Sequence, residues 1–578
     1  MKQLPNRWRY LMVAGIMSVV GLAILVQIVR VQASSEVATV VDKGNLVQKD
    51  FYPQRGNIYD RFGFLLAGNQ TVYEIGLDMT VKTDMDNLYL ALQLAGIDTV
   101  AVKARIAQAA PTAQYVVLAD FVPADKSNLL MKFQEDSHGD LTGKNLDAVY
   151  FKAHYARSYP ENDLASNVLG FVTQDNHGYL GIEEKYDNIL AGLPVQLWVP
   201  ADPRHVTEYP TIPPGQSIVL TIDRQIQAAI EQILDQALAS TGSSSGTIVV
   251  MDPRTGEILG MSSTPRMNLN NYQDVNTIFP GETPFNRAIS QAYEPGSVAK
   301  ILTMSGALDS GVVTRDTQFF DPGYIIVGGS RIEDWNGLPW GWQDMTGCLA
   351  HSLNVCLAWV SSEKMGADTF YSYMQRFGLG HATGIDLAGE ATGRLKLPGD
   401  NDWYPVDLAT NAFGQGVSVT PIQMVMAASA LANDGQMVFP HVLYAQIQNG
   451  KQVNTKTAIV GTPISAETAH TISDMLANAL VSESSDAQVP GYRIAGKTGT
   501  AQIPSPYGGY DPNNINATFI GWGPVDDPRF LVYVWLEKPQ TNKAASVVAA
   551  PIFKSVVEKL IVLMNIPPDD VRLELNGK

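Results

Sequence analysis

The chain has 578 residues, of which 45% are hydrophobic and 17% charged, and its formal net charge is −17. This composition predicts two or three ordered domains and excludes a disordered chain. The acidic balance also argues against a nucleic-acid-binding surface, which would need a basic face. We find no His/Cys cluster with metal-ligand spacing and no phosphate-binding loop, and therefore expect no metal and no cofactor.

Residues 11–29 form a mostly apolar run that is long enough to cross a bilayer as a helix. Lys2, Arg7 and Arg9 precede it, so the positive-inside rule predicts a cytoplasmic tail over 1–10 and an extracytoplasmic remainder. A cleaved signal peptide is the alternative, but this run exceeds the usual length of its apolar region. We expect a single-pass protein of the cell (inner) membrane.

Residues 30–212 are interpreted as a linker followed by a first domain, which a family resemblance implies to be a non-catalytic domain of mixed α+β structure. The segment Asp60-Arg-Phe-Gly63 is typical of a hairpin turn between two strands. Arg55, Asp60 and Glu183 are predicted to form buried ion pairs, which fix geometry more often than they catalyse.

Residues 213–578 are predicted to form a second domain of the α/β class. Its first strand covers 217–222, and Asp223 caps the helix that follows. The segments 247–251 and 257–261 form a hairpin. Three further strands and a last helix are predicted at 492–502, 517–523, 530–536 and 551–564. This arrangement indicates a five-stranded antiparallel sheet flanked by helices.

Three short strings in this second domain carry reactive side chains: Ser297-Val-Ala-Lys300, Ser352-Leu-Asn354 and Lys497-Thr-Gly-Thr500. A serine followed by a lysine at this spacing is weak evidence alone, because Ser361-Ser-Glu-Lys364 matches as well. Ser297 differs because a Pro-Gly loop ends just before it and a buried helix is predicted to follow. On that helix Ser297 and Lys300 share one face.

A serine hydroxyl is a poor nucleophile without an adjacent base. Lys300 is the candidate base, and it would have to be neutral. Burial and the second cation, Lys497, would both lower the Lys300 pKa. The set therefore fits the serine–lysine variant of the catalytic triad.

In this order the three strings resemble the active-site motifs of the penicillin-binding, serine acyltransferase family. The segments 54–63, 157–160, 169–172 and 178–186 resemble the pedestal signatures of its class B, monofunctional members. The resemblance covers residues from about 54 to 562. It implies a dimerisation-like pedestal, a penicilloyl serine transferase domain and peptidoglycan D,D-transpeptidase activity of division type or elongation type.

The resemblance assigns catalytic roles to five residues, which are Ser297, Lys300, Ser352, Asn354 and Lys497. Ser297 attacks the penultimate D-Ala carbonyl and forms the acyl-enzyme, with Lys300 as its base. Ser352 relays a proton toward the leaving amine, and Asn354 holds Lys300 and the substrate amide. From the residues alone, Ser352 and Asn354 also suit a helix cap, and both roles can hold together.

The third string is implied to bind substrate. By resemblance the Lys497 ammonium and a hydroxyl of Thr498 or Thr500 bind the terminal carboxylate, and Gly499 lets the substrate approach the backbone. An extended peptide would add to this strand as a further strand. The backbone N–H groups of Ser297 and Thr500 would form the oxyanion hole.

The implied partners are peptidoglycan stem peptides, β-lactams and a polytopic glycosyltransferase of the shape, elongation, division and sporulation (SEDS) group, within a divisome or elongasome. A β-lactam-hydrolysing enzyme or carboxypeptidase is one alternative, although the Glu-x-x-Leu-Asn loop of class A β-lactamases is absent between Ser352 and Lys497. A non-catalytic scaffold of a wall-synthesis complex is another. The choice between division and elongation stays open.

Two further features near the second string leave alternatives open. Cys348 and Cys356 would be about 12 Å apart in one continuous helix, too far to pair, whereas a turn at Ser352 would bring them closer. Two buried free thiols are the favoured expectation. A tryptophan-rich loop either lines a substrate groove or packs on the surface, and 413–416 resembles a family segment near the site. The tryptophans are Trp335, Trp340 and Trp342.

Overall fold

The computed structural model describes residues 7–33, 46–138, 145–200, 212–483, 485–505, 508–541 and 544–575. Residues 1–6 of the predicted tail and 34–45 of the predicted linker lie outside this range. The chain divides into two units. Met1–Gln54 with Gly192–Gly215 form the first, and Arg55–Ala191 with Gln216–Lys578 form the second.

The described residues up to 200 form the strands and helices that follow. The strands are β1 Leu46–Phe51, β2 Ile58–Tyr59, β3 Leu65–Asp78, β4 Tyr115–Pro123, β5 Val149–Ser158, β6 Phe171–Val172, β7 Gly178–Tyr179 and β8 Val195–Pro200. The helices are α1 Arg7–Ala33, α2 Met85–Leu94, α3 Thr99–Gln108, α4 Ala124–Ser137, α5 Ser166–Leu169, α6 Gly181–Lys185 and α7 Asp187–Leu190.

The remaining chain alternates between strands and longer helices. The strands are β9 Ser217–Leu220, β10 Ser245–Met251, β11 Ile258–Ser263, β12 Phe319–Asp321, β13 Tyr324–Val327, β14 Ser330–Glu333, β15 Gly341–Gln343, β16 Met437–Val438, β17 Leu443–Gln448, β18 Lys451–Asn454, β19 Ile459–Gly461, β20 Ala495–Pro504, β21 Tyr510–Gly523 and β22 Phe530–Glu537. The helices are α8 Arg224–Thr241, α9 Val275–Ile278, α10 Arg287–Ser290, α11 Lys300–Asp309, α12 Met345–Ala350, α13 Asn354–Trp359, α14 Gly366–Arg376, α15 Pro405–Asn411, α16 Pro421–Ala432, α17 Ala466–Glu483, α18 Ala545–Val548, α19 Ala550–Leu563 and α20 Asp569–Leu575.

The first unit contains helix α1 and a two-stranded antiparallel ribbon. Helix α1 covers the predicted membrane span. Among the helices of the described residues, none has the length and apolar character needed to cross a membrane. Strand β1 lies in the predicted linker and pairs with β8, with Leu46 opposite Pro200. A partner so distant in sequence leaves no local signal.

In the second unit, strands from both predicted domains share one seven-stranded sheet. Its order is β18-β17-β9-β2-β3-β4, with β5 also paired to β3. The predicted turn at 60–63 connects β2 to β3, as expected. One continuous sheet thus includes β9 from one predicted domain and β2 from the other. The domain boundary near residue 212 stays a prediction.

The predicted ion pairs beside this sheet are confirmed in part. Nε of Arg55 lies 2.8 Å from a Glu183 carboxylate oxygen, and both side chains are buried. Arg157 binds the other oxygen of Glu183 at 2.7 Å. The prediction for Asp60 was wrong, because its carboxylate accepts the backbone N–H groups of Phe62 and Phe64 instead. An aspartate at the start of a tight turn satisfies its own turn first.

The five-stranded antiparallel sheet is confirmed, in the order β11-β10-β22-β21-β20. Both faces of this sheet are covered, because side chains along the central strand β22 point alternately into two hydrophobic clusters. Tyr533 and Trp535 pack into the hydrophobic cluster that includes Ile301 of α11. Val532 and Val534 point the other way, into the cluster formed with α8 and α19. The result is a three-layer α/β domain with β20 at one edge.

Candidate active site

Ser297 lies on a short 3₁₀ turn, Gly296–Ala299, immediately before helix α11. The turn requires glycine at 296, where φ is +61° and a Cβ would lie 2.8 Å from Cβ of Ala501. Ser297 itself is half-buried, whereas Lys300 is completely buried. The turn thus places Ser297 beside the middle of strand β20, and the apolar helix that follows buries Lys300.

The second string forms a sharp turn between helices α12 and α13. Ser352 adopts a left-handed conformation with φ of +56°, which is strained for a residue with a side chain. The turn brings the Cα atoms of Cys348 and Cys356 to 6.1 Å, and the two form a disulfide. The expectation of free thiols was therefore wrong, because it depended on one continuous helix that the Ser352 turn breaks.

Lys300 joins the first two strings. Its Nζ donates to the Ser352 carbonyl oxygen at 2.6 Å and to the Asn354 side-chain oxygen at 2.8 Å. It also lies 3.3 Å from the Ser352 hydroxyl oxygen. The expectation that Asn354 holds Lys300 agrees with this geometry. Among the described residues, the hydrogen bonds of Lys300 Nζ do not include the Ser297 hydroxyl, and such a catalytic contact often forms only when substrate binds.

The third string lies on strand β20, where Lys497 completes the cluster. Its Nζ donates to the Ser352 hydroxyl at 2.9 Å and to the Thr498 carbonyl oxygen at 3.1 Å. The Ser352 hydroxyl therefore lies between two lysines. The arrangement provides a short path along which a proton can move from Lys300 to Lys497.

Burial controls the protonation of both lysines. It is the largest cause that lowers the Lys300 pKa well below its usual value, and Lys497 lowers it further, against the opposing charge of Asp334. Burial also lowers the pKa of Lys497 to about 7. Both shifts have the direction that a neutral base beside a titratable ammonium requires.

The neighbours of Lys497 on β20 have different surroundings. Thr500 is exposed, and its hydroxyl oxygen accepts the Ala545 N–H at 3.2 Å. A Cβ on Gly499 would lie 2.3 Å from the Thr518 hydroxyl oxygen and 2.9 Å from a Val298 methyl carbon. Glycine is thus needed here for packing against the Ser297 turn, a reason that sequence alone did not reveal.

Of the other segments that the sequence placed near the site, some border it and others do not. Gly414 accepts the Gly296 N–H, so the predicted segment 413–416 does border the Ser297 turn. Trp340 stacks on His351 with ring centroids 4.3 Å apart, and the exposed Trp335 donates its indole N–H to the His351 carbonyl oxygen at 3.1 Å, whereas Trp342 is exposed. The competing serine, Ser361, is buried in a π-helical turn away from this cluster, with its hydroxyl bonded to a backbone carbonyl.

Sequence reasoning missed two groups that support the site. Asp334, after strand β14, accepts the N–H groups of Asn354 and Val355 at 2.6 and 3.1 Å and caps helix α13. Glu294 accepts the Tyr510 hydroxyl at 2.9 Å. Glu294 lies within three residues of Ser297, and that proximity was an available signal. Asp334 lies in a loop with no local pattern to mark it.

The sheet and the three strings together place this protein in the class of enzymes with the penicilloyl serine transferase fold. The family profile "Penicillin binding protein transpeptidase domain" matches residues 246–558, and "Penicillin-binding Protein dimerisation domain" matches 50–196. The chain belongs to the class B penicillin-binding proteins.

Similar proteins cover nearly the whole chain. Stage V sporulation protein D of Bacillus subtilis is 34% identical over 91% of this chain and 80% of its own length. Peptidoglycan D,D-transpeptidase FtsI of Escherichia coli is 28% identical over 97% and 93%. Among solved structures, penicillin-binding protein 3 of Mycobacterium tuberculosis in complex with aztreonam has a TM-score of 0.69 at 27% identity, covering 90% of this chain and 98% of that one.

Proposed function

We propose that this protein is a peptidoglycan D,D-transpeptidase that cross-links stem peptides through an acyl-enzyme on Ser297, and that β-lactams acylate the same serine. The observation that carries the proposal is the Lys300–Ser352–Lys497 cluster, whose hydrogen bonds connect all three strings. Class membership supports the reaction, and the hydrogen bonds of the cluster support the roles proposed for its residues.

In the acylation step, the Ser297 hydroxyl oxygen attacks the carbonyl carbon of the penultimate D-Ala and transfers its proton to neutral Lys300. The carbonyl oxygen becomes an oxyanion that the backbone N–H groups of Ser297 and Thr500 bind. One such donor contributes about 3–4 kcal/mol to transition-state stability. The position of Thr500 on an edge strand supports this role, since a substrate can align along β20.

Collapse of the tetrahedral intermediate breaks the peptide bond and releases the terminal D-Ala. Its amine takes a proton through the Ser352 hydroxyl, which lies within 3.3 Å of both lysine Nζ atoms. The terminal carboxylate binds the Lys497 ammonium and a hydroxyl of Thr498 or Thr500. An amine of a neighbouring stem peptide then attacks the ester carbonyl, forms the cross-link and frees Ser297.

We further propose that residues 11–29 anchor the protein in the cell membrane, with the catalytic domain outside and 1–10 inside. The apolar run and the basic residues before it support this topology. A polytopic SEDS-type glycosyltransferase would supply glycan strands as a partner. Deletion of residues 1–33 should release the protein from membranes on fractionation, whereas continued sedimentation with them would contradict the anchor.

The transferase proposal can be separated from a hydrolase by the fate of the acyl group. A thioester analogue of the acyl-D-Ala donor is supplied with a D-amino acid acceptor, and the products are resolved by mass spectrometry. We expect the wild type to form the acceptor adduct and Ser297→Ala to form none. Free acid as the main product would instead indicate a carboxypeptidase.

A further inference from the structure

Two buried aspartates lie near the second string, Ser352-Leu-Asn354. Asp321 ends strand β12 and is fully buried, and Asp334 follows strand β14 and is 5% exposed. One oxygen of each is satisfied by backbone. Oδ1 of Asp321 accepts the Gly323 N–H at 2.6 Å, and Oδ1 of Asp334 accepts those of Asn354 and Val355.

The second oxygen of each carboxyl group has no such donor. Oδ2 of Asp321 and Oδ2 of Asp334 are both buried without a hydrogen-bond donor in the described part of the chain. The two residues flank the same end of the β13–β14 hairpin, in which Tyr324 lies opposite Glu333, and a side-chain hydrogen bond with Asp321 contributes to the raised pKa of Asp334. A buried, unpartnered carboxylate oxygen is costly, and two adjacent carboxylates repel unless one carries a proton.

We propose that Asp321 and Asp334 share one proton, and that this acid pair positions Asn354 and, through it, Lys300. The protonated carboxyl donates to the other, which satisfies both orphaned oxygens with one hydrogen. Asp334 is then held where it binds the start of helix α13. Within the described residues, neither aspartate forms a hydrogen bond with the Ser297 turn. The acid pair therefore acts by positioning Asn354 and Lys300.

The charge balance around the acid pair agrees with this assignment. Burial, together with the hydrogen bond that protonated Asp334 donates to Asp321, raises the pKa of Asp334 to about 7. Lys300 is the basic group that interacts with the pair, since Asp334 raises its pKa against the larger effect of burial. Glu333, the other acid of this segment, is half exposed and paired with Arg331. Loss of the shared proton above pH ~7 would place a second negative charge near Lys300 and oppose its neutral form.

The proposal rests on the proposed role of Lys300 for its functional consequence, but the shared proton can be observed without any reaction. Infrared spectra of the full-length protein should show a carboxylic-acid C=O band at pH ~6 that disappears as the pH rises through about 7. Asp321→Asn should remove this band, whereas Asp316→Asn, on an exposed side chain of the same segment, should keep it. A band unchanged by Asp321→Asn would overturn the shared proton.

The positioning role has its own measurement, the rate constant for acylation by a fluorescent penicillin. The amide of Asp321→Asn still donates to Asp334, so this variant should acylate within about threefold of wild type. Asp321→Ala leaves Oδ2 of Asp334 unpartnered, and its rate should fall about tenfold or more. Equal rates for the two variants would overturn positioning. A wild type that is not acylated at all would refute the proposed function, while the infrared result would stand independently.

Discussion

At the residue scale, the protonation of two buried lysines sets the expected pH dependence. The acylation rate constant should rise with pH as Lys300 loses its proton, which happens at a pH well below the usual lysine pKa. It should fall above about 7 as Lys497 loses the charge that binds the substrate carboxylate. A bell-shaped profile follows, measurable as the acylation rate constant from pH ~5 to ~9.

The matched variant is Lys497→Arg, because a guanidinium stays charged throughout this range. The comparison is best made in the Asp321→Asn background, where the acid pair no longer titrates near the same pH. Lys497→Arg should lower the rate and abolish the alkaline fall. An unchanged alkaline fall would show that another group is responsible.

Ser297, Lys300 and Lys497 could be proposed from three strings because their chemistry is local and the order of the strings is restrictive. In the structure both lysines bind the Ser352 hydroxyl, while the catalytic roles stay predictions. Asp334 could not be named, since an aspartate in a loop resembles any turn residue. Its role appears only when strand β14 and helix α13 are folded together.

At the element scale, the close approach of strand β20 to the Ser297 turn makes Gly499 a sensitive position. A methyl group there would contact a Val298 methyl carbon at 2.9 Å and the Pro295 carbonyl oxygen at 3.2 Å. We expect Gly499→Ala to lower the free energy of unfolding by about 1–3 kcal/mol. The displaced turn should also slow penicillin acylation at least tenfold.

Gly461→Ala is the control for this effect, because its Cβ would meet a Met437 methyl at an ordinary 3.5 Å. Denaturant unfolding and acylation should both stay near wild type there. If Gly499→Ala acylated normally, the packing explanation for this glycine would be wrong.

Secondary structure could be predicted from the sequence where the apolar pattern was strong, as in strand β22. The prediction failed where one residue broke a pattern. The disulfide depended on the left-handed Ser352, a conformation that sequence does not favour for serine. Strand β1 was missed for a different reason, because its partner β8 is about 150 residues away.

At the scale of the whole molecule, buried ion pairs at Glu183 stabilise the non-catalytic part of the second unit. Glu183 is fully buried and bridges Arg55 and Arg157. Glu183→Ala would leave both guanidinium groups without this partner, and we expect the free energy of unfolding to fall by about 3–5 kcal/mol. Glu135→Ala, on an exposed face of helix α4, should change it little. Equal stability of the two variants in denaturant would contradict a structural role.

Covalent labelling is the direct test of Ser297 as the nucleophile. Wild type, Ser297→Ala and Ser361→Ala are treated with a fluorescent penicillin, and the labelled peptide is identified by mass spectrometry. Ser361 is the matched control, because it lies in the competing serine–lysine string. We predict a stable adduct on the peptide containing Ser297, retained in Ser361→Ala and lost in Ser297→Ala. An adduct that persists in Ser297→Ala, or a wild type that forms none, would contradict the account.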